Sequence, residues 1–173
     1  TRNNPIEDIE SHVPLRVTRY EFRNDPVAPG KWRGGINAVK EVEFLDSGTI
    51  SVEGDGHGHS SWGFNGGHDG VTAKLLMNTS KGESSELPPM MTTISVNTGD
   101  KVAAIGGMGG GYGDPREREP NRVLEDYLDG LLSREDASRD YGVVISTENT
   151  IDETVIIILA LASLNQENRS NIE

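Results

Sequence analysis

The stretch that decides the fold runs from residue 38 to residue 53 and reads AVKEVEFLDSGTISVE. In its first half Val42 and Phe44 alternate with glutamates, which is the period-two pattern of a half-buried strand. Asp46-Ser47-Gly48 then favours a turn, and the alternation resumes in TISVE. The stretch therefore predicts two antiparallel strands joined as a hairpin.

The sequence on either side of this stretch predicts further strands. Residues 15–22, LRVTRYEF, alternate with one slip near Arg19, which predicts a strand that carries a bulge. Thr98-Gly99-Asp100 is typical of a short hairpin turn. A short helical turn is expected after Pro5, and more strands are expected at 72–77, 91–96 and 101–105.

The last third of the chain changes to a helical period. Pro120 suits the first turn of a helix. An apolar stripe follows it at Val123, Leu124, Tyr127, Leu128 and Leu131. Ser133 and Asp136 have the spacing of a capping box for a second helix. A strand is expected at 142–146, and the apolar residues 155–162 are interpreted as a buried helix.

Together these patterns predict a mainly β fold of the α+β class. Twisted antiparallel strands and glycine-rich loops are expected to be joined by two or three helices in the C-terminal third. We expect a mostly β, glycine-rich region at 1–119 and a helical and strand region at 120–173. The two regions are expected to form one structural unit overall.

Composition limits the classes of function. The chain has 16 Lys and Arg against 28 Asp and Glu, a net charge of -12, so a nucleic-acid partner is excluded. The polar N-terminus predicts no membrane segment, and a cytoplasmic location follows as the default. Hydrophobic residues make up only 34% while glycine is abundant, so we expect partner chains to complete the burial of apolar surface.

A glycine-rich loop at residues 54–70 contains three histidines. His57 and His59 point the same way on an extended chain, and with His68 and an aspartate they have the donor types of a metal site. The alternative is a surface or interface loop in which Trp62 anchors the backbone in a core. The second interpretation is favoured, because glycines leave the histidines without a fixed geometry, and no metal is predicted here.

A second glycine-rich segment, residues 106–115, is called the glycine loop below. Exposed amides in such a loop can bind anions, and Gly109, Gly110, Gly111 and Tyr112 are the candidate cofactor-binding residues. However, the Lys and Ser/Thr of a phosphate-binding loop are absent, and Asp114-Pro115 follows instead. Close packing of the backbone against a neighbouring chain is therefore the favoured interpretation.

Several motifs in register resemble the hydantoinase B family. They are PLRV at 14–17, YEFR at 20–23, PGKWRGG at 29–35, WGF with two further glycines at 62–67, and GGGYGDP at 109–115. The resemblance continues through YGVV at 141–144 and covers the chain to about Thr154. Each motif alone is weak, whereas their order and spacing together are specific.

The resemblance implies a part of an ATP-consuming enzyme built from an A-type and a B-type component. A hydantoinase-A-like ATP-binding subunit and a hydantoinase-B-like N-terminal subunit are the implied partners, in a hetero-oligomer. The resemblance implies that this chain binds no cofactor, and that ATP and a divalent metal are bound by partner subunits. The chain is similar to the C-terminal portion of a B-type component, and we expect it to be inactive and insoluble or oligomeric when isolated.

Three functions follow as hypotheses. The first is a small, non-ATP-binding subunit of a ketone carboxylase of the acetone or acetophenone type, which forms carbon–carbon bonds; some such complexes include small subunits. The second is part of a hydantoinase- or oxoprolinase-type amidohydrolase, and the third is a stand-alone interaction domain without catalysis. In the first two we expect Gly109, Gly110, Gly111 and Tyr112 to pack closely or face an anion, and Arg33 to be a structural or interface cation.

Overall fold

The computed structural model describes residues 4–152, which divide into two compact units. The first unit is formed by residues 4–23, 35–61 and 70–109, and the second by residues 24–34, 62–69 and 110–152. The predicted division at residue 120 and the single structural unit stay predictions.

The first unit is mostly antiparallel sheet. It begins with a short helix, α1 (Ile6–His12), which confirms the helical turn expected after Pro5. Seven strands follow, and five of them form one sheet in the order β1-β2-β7-β4-β5, while β3 pairs with β6. Their bounds are β1 (Leu15–Phe22), β2 (Ala38–Phe44), β3 (Gly48–Glu53), β4 (Lys74–Asn78), β5 (Ser84–Glu86), β6 (Met90–Val96) and β7 (Lys101–Ile105). The mainly β fold class is confirmed.

The predicted hairpin of residues 38–53 is wrong in its pairing, although both strands exist. One edge of β2 is occupied by β1 and the other by β7, so β3 has no free edge to join. It pairs instead with β6 in the separate two-stranded sheet. For the same reason the turn at residues 98–100 does not close a hairpin, because β6 and β7 belong to different sheets.

One apolar core joins the two sheets of the first unit. Its buried residues are Phe44, Leu75, Met77, Ile94, Val96 and Val102. Ile94 and Val96 come from β6, whereas the others come from the five-stranded sheet, so the two-stranded sheet covers one face of the larger one. Burial of this apolar surface is the main source of stability for the unit.

A buried aspartate fixes the turn between β6 and β7. The carboxylate of Asp100 accepts hydrogen bonds from the backbone amides of Ser80 and Asn97, both at 2.8 Å. These bonds hold the pKa of the Asp100 carboxyl below its usual range, because they favour the charged form. The turn is thereby tied to the loop between β4 and β5.

The second unit contains the helices of the C-terminal part. They are a short 3-10 helix (Pro115–Glu117), α2 (Pro120–Leu128) and α3 (Arg134–Tyr141). Pro120 opens α2, and the capping box of Ser133 and Asp136 is present at α3, as predicted. The core of this unit consists of Val123, Leu132, Ala137, Tyr141, Val143 and Ile145.

Two predictions about the second unit are wrong. Leu128 was expected on the buried stripe of α2, but its side chain is exposed in the last turn of the helix. Residues 142–146 do not form a strand; Ile145 makes a single bridge to Ile151. Val143 and Ile145 are nevertheless buried in the core of this unit.

Burial of Tyr141 makes the second unit lose stability at alkaline pH. Burial raises the pKa of Tyr141 to about 12, with the Arg118 guanidinium opposing the shift and nearby carboxylates adding to it. In the unfolded chain the phenol ionises near pH 10, at lower pH than in the folded state. The stabilisation is therefore complete below pH 10 and is lost as pH rises towards 12.

We expect the free energy of unfolding, measured by urea titration from pH 8 to 11.5, to fall less steeply for Tyr141→Phe than for the wild type. Tyr20→Phe, at an exposed ring of the first unit, is the matched control and should retain the wild-type slope. Equal slopes for the wild type and Tyr141→Phe would contradict the assignment.

No helix among residues 4–152 is long and apolar enough to cross a membrane. The helix predicted at residues 155–162 lies outside the described residues.

Candidate interaction surface

Three segments of the second unit lie side by side and are joined through their backbones. The amide of Trp32 donates to the carbonyl of Tyr112 at 3.0 Å, and the amide of Tyr112 donates back to Trp32 at 2.8 Å. On the other side, the amide of Phe64 donates to Gly111 and the amide of Gly113 donates to Phe64, both at 2.9 Å. Tyr112 therefore lies between Trp32, with which it pairs antiparallel, and Phe64, with which it pairs parallel.

Glycines allow these segments to approach so closely. A methyl group at Gly111 would lie 2.0 Å from the carbonyl oxygen of Pro29, and one at Gly110 would lie 2.2 Å from the carbonyl oxygen of Trp62. Both distances are far below van der Waals contact, so no other residue fits at these positions without movement of the backbone.

This framework carries three exposed rings, which we call the aromatic surface: Trp32, Phe64 and Tyr112. Their exposed fractions are 54%, 63% and 49%. The rings of Phe64 and Tyr112 are stacked, with centroids 5.9 Å apart. The guanidinium of Arg122 lies 5.5 Å from the ring of Trp32 as a cation–π contact. Tryptophan, tyrosine and arginine on an ordered backbone are the residue types that dominate binding energy at protein interfaces.

The expectation that Trp62 anchors its loop in a core is wrong. Its side chain is 79% exposed, and the backbone of the residue is what packs, against Gly110. The loop is held by hydrogen bonds instead, including one from the amide of Gly63 to the carboxylate of Asp69 at 2.7 Å. Trp62 therefore adds a fourth exposed aromatic side chain to the second unit.

A buried carboxylate with two arginines supports this framework from inside. Asp126 on α2 accepts from Nε of Arg33 at 2.8 Å and from a terminal guanidinium nitrogen of Arg118 at 2.7 Å. The Asp126 and Arg118 side chains are each 7% exposed. Arg118 also donates to the carbonyl of Lys31, so it connects α2 to the segment that carries Trp32. Arg33 thus makes a structural ion pair within this chain.

The amides of the glycine loop are largely engaged by carbonyls of the same chain. Gly109 donates to Gly35 at 3.1 Å within the first unit. In the second unit Gly111 donates to His68 at 2.8 Å and Tyr112 donates to Trp32. The observed close packing lies within the chain, and an anion-facing or interface role for Gly109, Gly110, Gly111 and Tyr112 stays a prediction.

The three loop histidines fall in different units. His57 and His59 belong to the first unit and His68 to the second. His68 contributes through its backbone, since its amide donates to Pro29 and its carbonyl accepts from Gly111. Within residues 4–152, no group of three or more histidine and carboxylate side chains is placed to hold a metal ion.

Sequence reasoning missed Arg118 and the exposure of Phe64. Arg118 lies in the run Arg116-Glu117-Arg118-Glu119, whose alternating charges are typical of a solvated segment. No sequence signal marks the third of these residues as buried. Phe64 stands in a glycine-rich stretch, and that pattern alone does not tell an exposed ring from a buried one.

The sequence is similar to a known protein family and to a named relative. The sequence model of the Hydantoinase B/oxoprolinase family matches residues 1–115. A protein from Pseudomonas sp. strain NS671, named for the B component of a D-/L-hydantoinase, is 50% identical over 153 residues. The matched region is 88% of this chain and 26% of that protein.

Two solved structures share the fold. The ATP-dependent caprolactamase from Pseudomonas jessenii aligns with a TM-score of 0.65 and 28% identity, over 90% of this chain and 28% of its own. Nucleotide-free acetone carboxylase aligns with a TM-score of 0.73 and 19% identity, over 96% of this chain and 27% of its own. The chain thus spans about a quarter of the length of these relatives.

Proposed function

Because this chain belongs to the hydantoinase B/oxoprolinase family, we propose that it forms part of the non-ATP-binding B-type component of an ATP-dependent enzyme that opens a cyclic amide. The relatives named for hydantoinase and caprolactamase activity, at 50% and 28% identity, support this substrate class. Hydantoins and caprolactam both contain an amide bond within a ring, and hydrolysis of that bond is the shared reaction.

The observation that carries an assembly role is the aromatic surface. Three large rings, each 49% exposed or more, lie on a backbone fixed by hydrogen bonds on both sides of Tyr112. Contiguous exposed apolar groups of this kind mark sites of protein association. The proposed partners are a hydantoinase-B-like N-terminal polypeptide, which docks on this surface, and a hydantoinase-A-like subunit that binds ATP. The divalent metal is bound by these partners and not by this chain.

A ketone carboxylase is the second candidate. The motif resemblance in the sequence includes this class of enzyme, and acetone carboxylase, at 19% identity, shares the fold over 96% of this chain. The two candidates differ in the bond that is made or broken, so one set of assays separates them.

The test is reconstitution of the complete enzyme. We expect this chain, co-expressed with the A-like and the N-terminal B-like polypeptides, to support ATP-dependent opening of hydantoin or caprolactam. We expect the chain alone to show no turnover. ATP- and bicarbonate-dependent consumption of acetone by the same complex would favour the carboxylase instead, and turnover by the isolated chain would contradict the assembly role.

The role of the aromatic surface is tested with a double variant, Trp32→Ala with Tyr112→Ala. Loss of one such ring at an interface costs about 2 kcal/mol or more, so the N-terminal polypeptide should bind more than tenfold more weakly. The matched control is Met90→Ala, at a side chain of the first unit that is 73% exposed. Pull-down and native mass spectrometry report assembly, and unchanged binding by the double variant would refute the role.

A further inference from the structure

The outer edge of β1 is a second surface that can pair with another strand. β1 forms one end of the five-stranded sheet and pairs with β2 on its inner side. On the outer side the amide of Val17 has no strand partner within the described chain; it donates to the carboxylate of Glu10 on α1 at 2.8 Å. Further along the strand Tyr20 and Phe22 are 48% and 73% exposed.

The sequence of β1 is complementary to the same sequence in the reverse direction. If two copies are aligned antiparallel about the midpoint between Thr18 and Arg19, the apolar Val17 of one copy lies opposite the aromatic Tyr20 of the other. The next step matches Arg16 with Glu21, and the step after that matches Leu15 with Phe22. Two copies of the strand, placed antiparallel about this midpoint, would oppose apolar with apolar residues and a cation with an anion.

Because of the bulge in β1, the residues that would be paired lie on the same face of the strand. Val17 is opposite Val42 of β2 and Tyr20 is opposite Lys40, with the register shift between Val17 and Arg19. Val42 and Lys40 are two residues apart on a regular strand, so they share a face. Val17 and Tyr20 therefore share that face as well, although three positions separate them.

The same relation extends to the rest of the strand. Leu15 and Phe22 lie opposite Phe44 and Ala38, on the face shared by Val17 and Tyr20. Arg16 and Glu21 lie opposite Glu43 and Val39, on the other face. Reversed pairing would thus place all apolar pairs on one face of the joined sheet and both ion pairs on the other.

We propose that β1 pairs antiparallel with β1 of a second copy of this chain, in the register that opposes Arg16 to Glu21. Displacement by two residues in one direction would oppose Arg16 to Arg19, and in the other direction it would oppose Arg19 to Tyr20, which lie on different faces of the strand. Like charges directly opposite are destabilising, so the register is specified. Pairing covers Phe22 with Leu15 of the other copy. It requires the Glu10 carboxylate to release the Val17 amide and the Val13 carbonyl to release the Leu15 amide.

This inference goes beyond the proposed function, because it concerns association of the chain with itself. It involves the first unit, whereas the proposed assembly with the N-terminal polypeptide uses the aromatic surface of the second. The two can therefore fail independently.

The chain contains no cysteine, so an engineered disulfide gives an unambiguous test. In the full chain, Arg16→Cys with Glu21→Cys should give a disulfide-linked dimer under mild oxidation, seen by non-reducing electrophoresis and mass spectrometry. An intrachain bond is excluded, because Arg16 and Glu21 lie opposite Glu43 and Val39, four residues or about 13 Å apart on β2, and a disulfide joins Cα atoms less than about 7 Å apart. The control, Arg16→Cys with Tyr20→Cys, places the two thiols on opposite faces and should give no disulfide-linked dimer.

Charge exchange tests the register without cysteines. In sedimentation experiments Glu21→Arg should weaken the dimer at least tenfold, and Arg16→Glu combined with Glu21→Arg should restore it. The same cysteine pairs can be oxidised within the assembled complex if the chain is obtained only with its partners. No dimeric product from the 16/21 pair, or equal yields from the 16/21 and 16/20 pairs, would overturn the proposal.

Discussion

Replacement of Gly111 by alanine is expected to prevent stable folding of the second unit. The added methyl group would lie 2.0 Å from the carbonyl oxygen of Pro29 and 2.7 Å from its carbonyl carbon. That oxygen is not free to withdraw, because it accepts a hydrogen bond from the amide of His68 at 2.8 Å. Overpacking against a fixed backbone costs about 3 kcal/mol or more, a large share of the roughly 5–15 kcal/mol that stabilises a domain.

Gly35→Ala is the control for this prediction. It makes the same chemical change at a glycine where a methyl group would meet no atom within 4 Å. Urea titration followed by tryptophan fluorescence should show a large loss of stability, or no folded baseline, for Gly111→Ala and little change for Gly35→Ala. If both variants unfold at the wild-type urea concentration, the close packing of the glycine loop does not limit stability.

The contrast between these two glycines shows what the sequence reveals about the site. A run of glycines correctly indicates that backbones pack closely somewhere, because only glycine tolerates such contacts. The identity of the opposing backbone is not encoded locally: Pro29 and Trp62 are distant in the chain from Gly111 and Gly110. The exposure of Trp62 was mispredicted for the same reason, since burial depends on neighbours that a local pattern does not specify.

In the fold, too, features set by neighbouring residues could be predicted from the sequence, whereas the pairing of distant strands could not. The bulge in β1, the start of α2 and the capping box of α3 were predictable, because each depends on residues a few positions apart. The hairpin of residues 38–53 was not, because its outcome depends on competition between β1, β3 and β7 for the two edges of β2. Strand existence is thus local, whereas the choice of partner is a property of the whole sheet.

Replacement of Asp126 by alanine is expected to be the most damaging polar substitution in the second unit. The carboxylate pairs with Arg33 and Arg118, and the Arg118 side chain is only 7% exposed. Without Asp126 the Arg118 guanidinium would stay buried without a counter-charge, whereas Arg33, which is partly exposed, can turn towards water. Breaking a buried ion pair from one side costs about 3–5 kcal/mol.

An ion pair at the surface of the same unit supplies the comparison. Lys31 and Glu117 lie 3.0 Å apart, and both side chains are largely exposed. Because exposed pairs contribute about 0–1 kcal/mol, Glu117→Ala should change the free energy of unfolding far less than Asp126→Ala. Binding of the proposed N-terminal partner should follow the same order, since Arg118 also holds the carbonyl of Lys31 beside Trp32. Equal free energies of unfolding for Asp126→Ala and Glu117→Ala would show that the buried cluster does not stabilise the second unit, and equal binding would show that it does not support the aromatic surface.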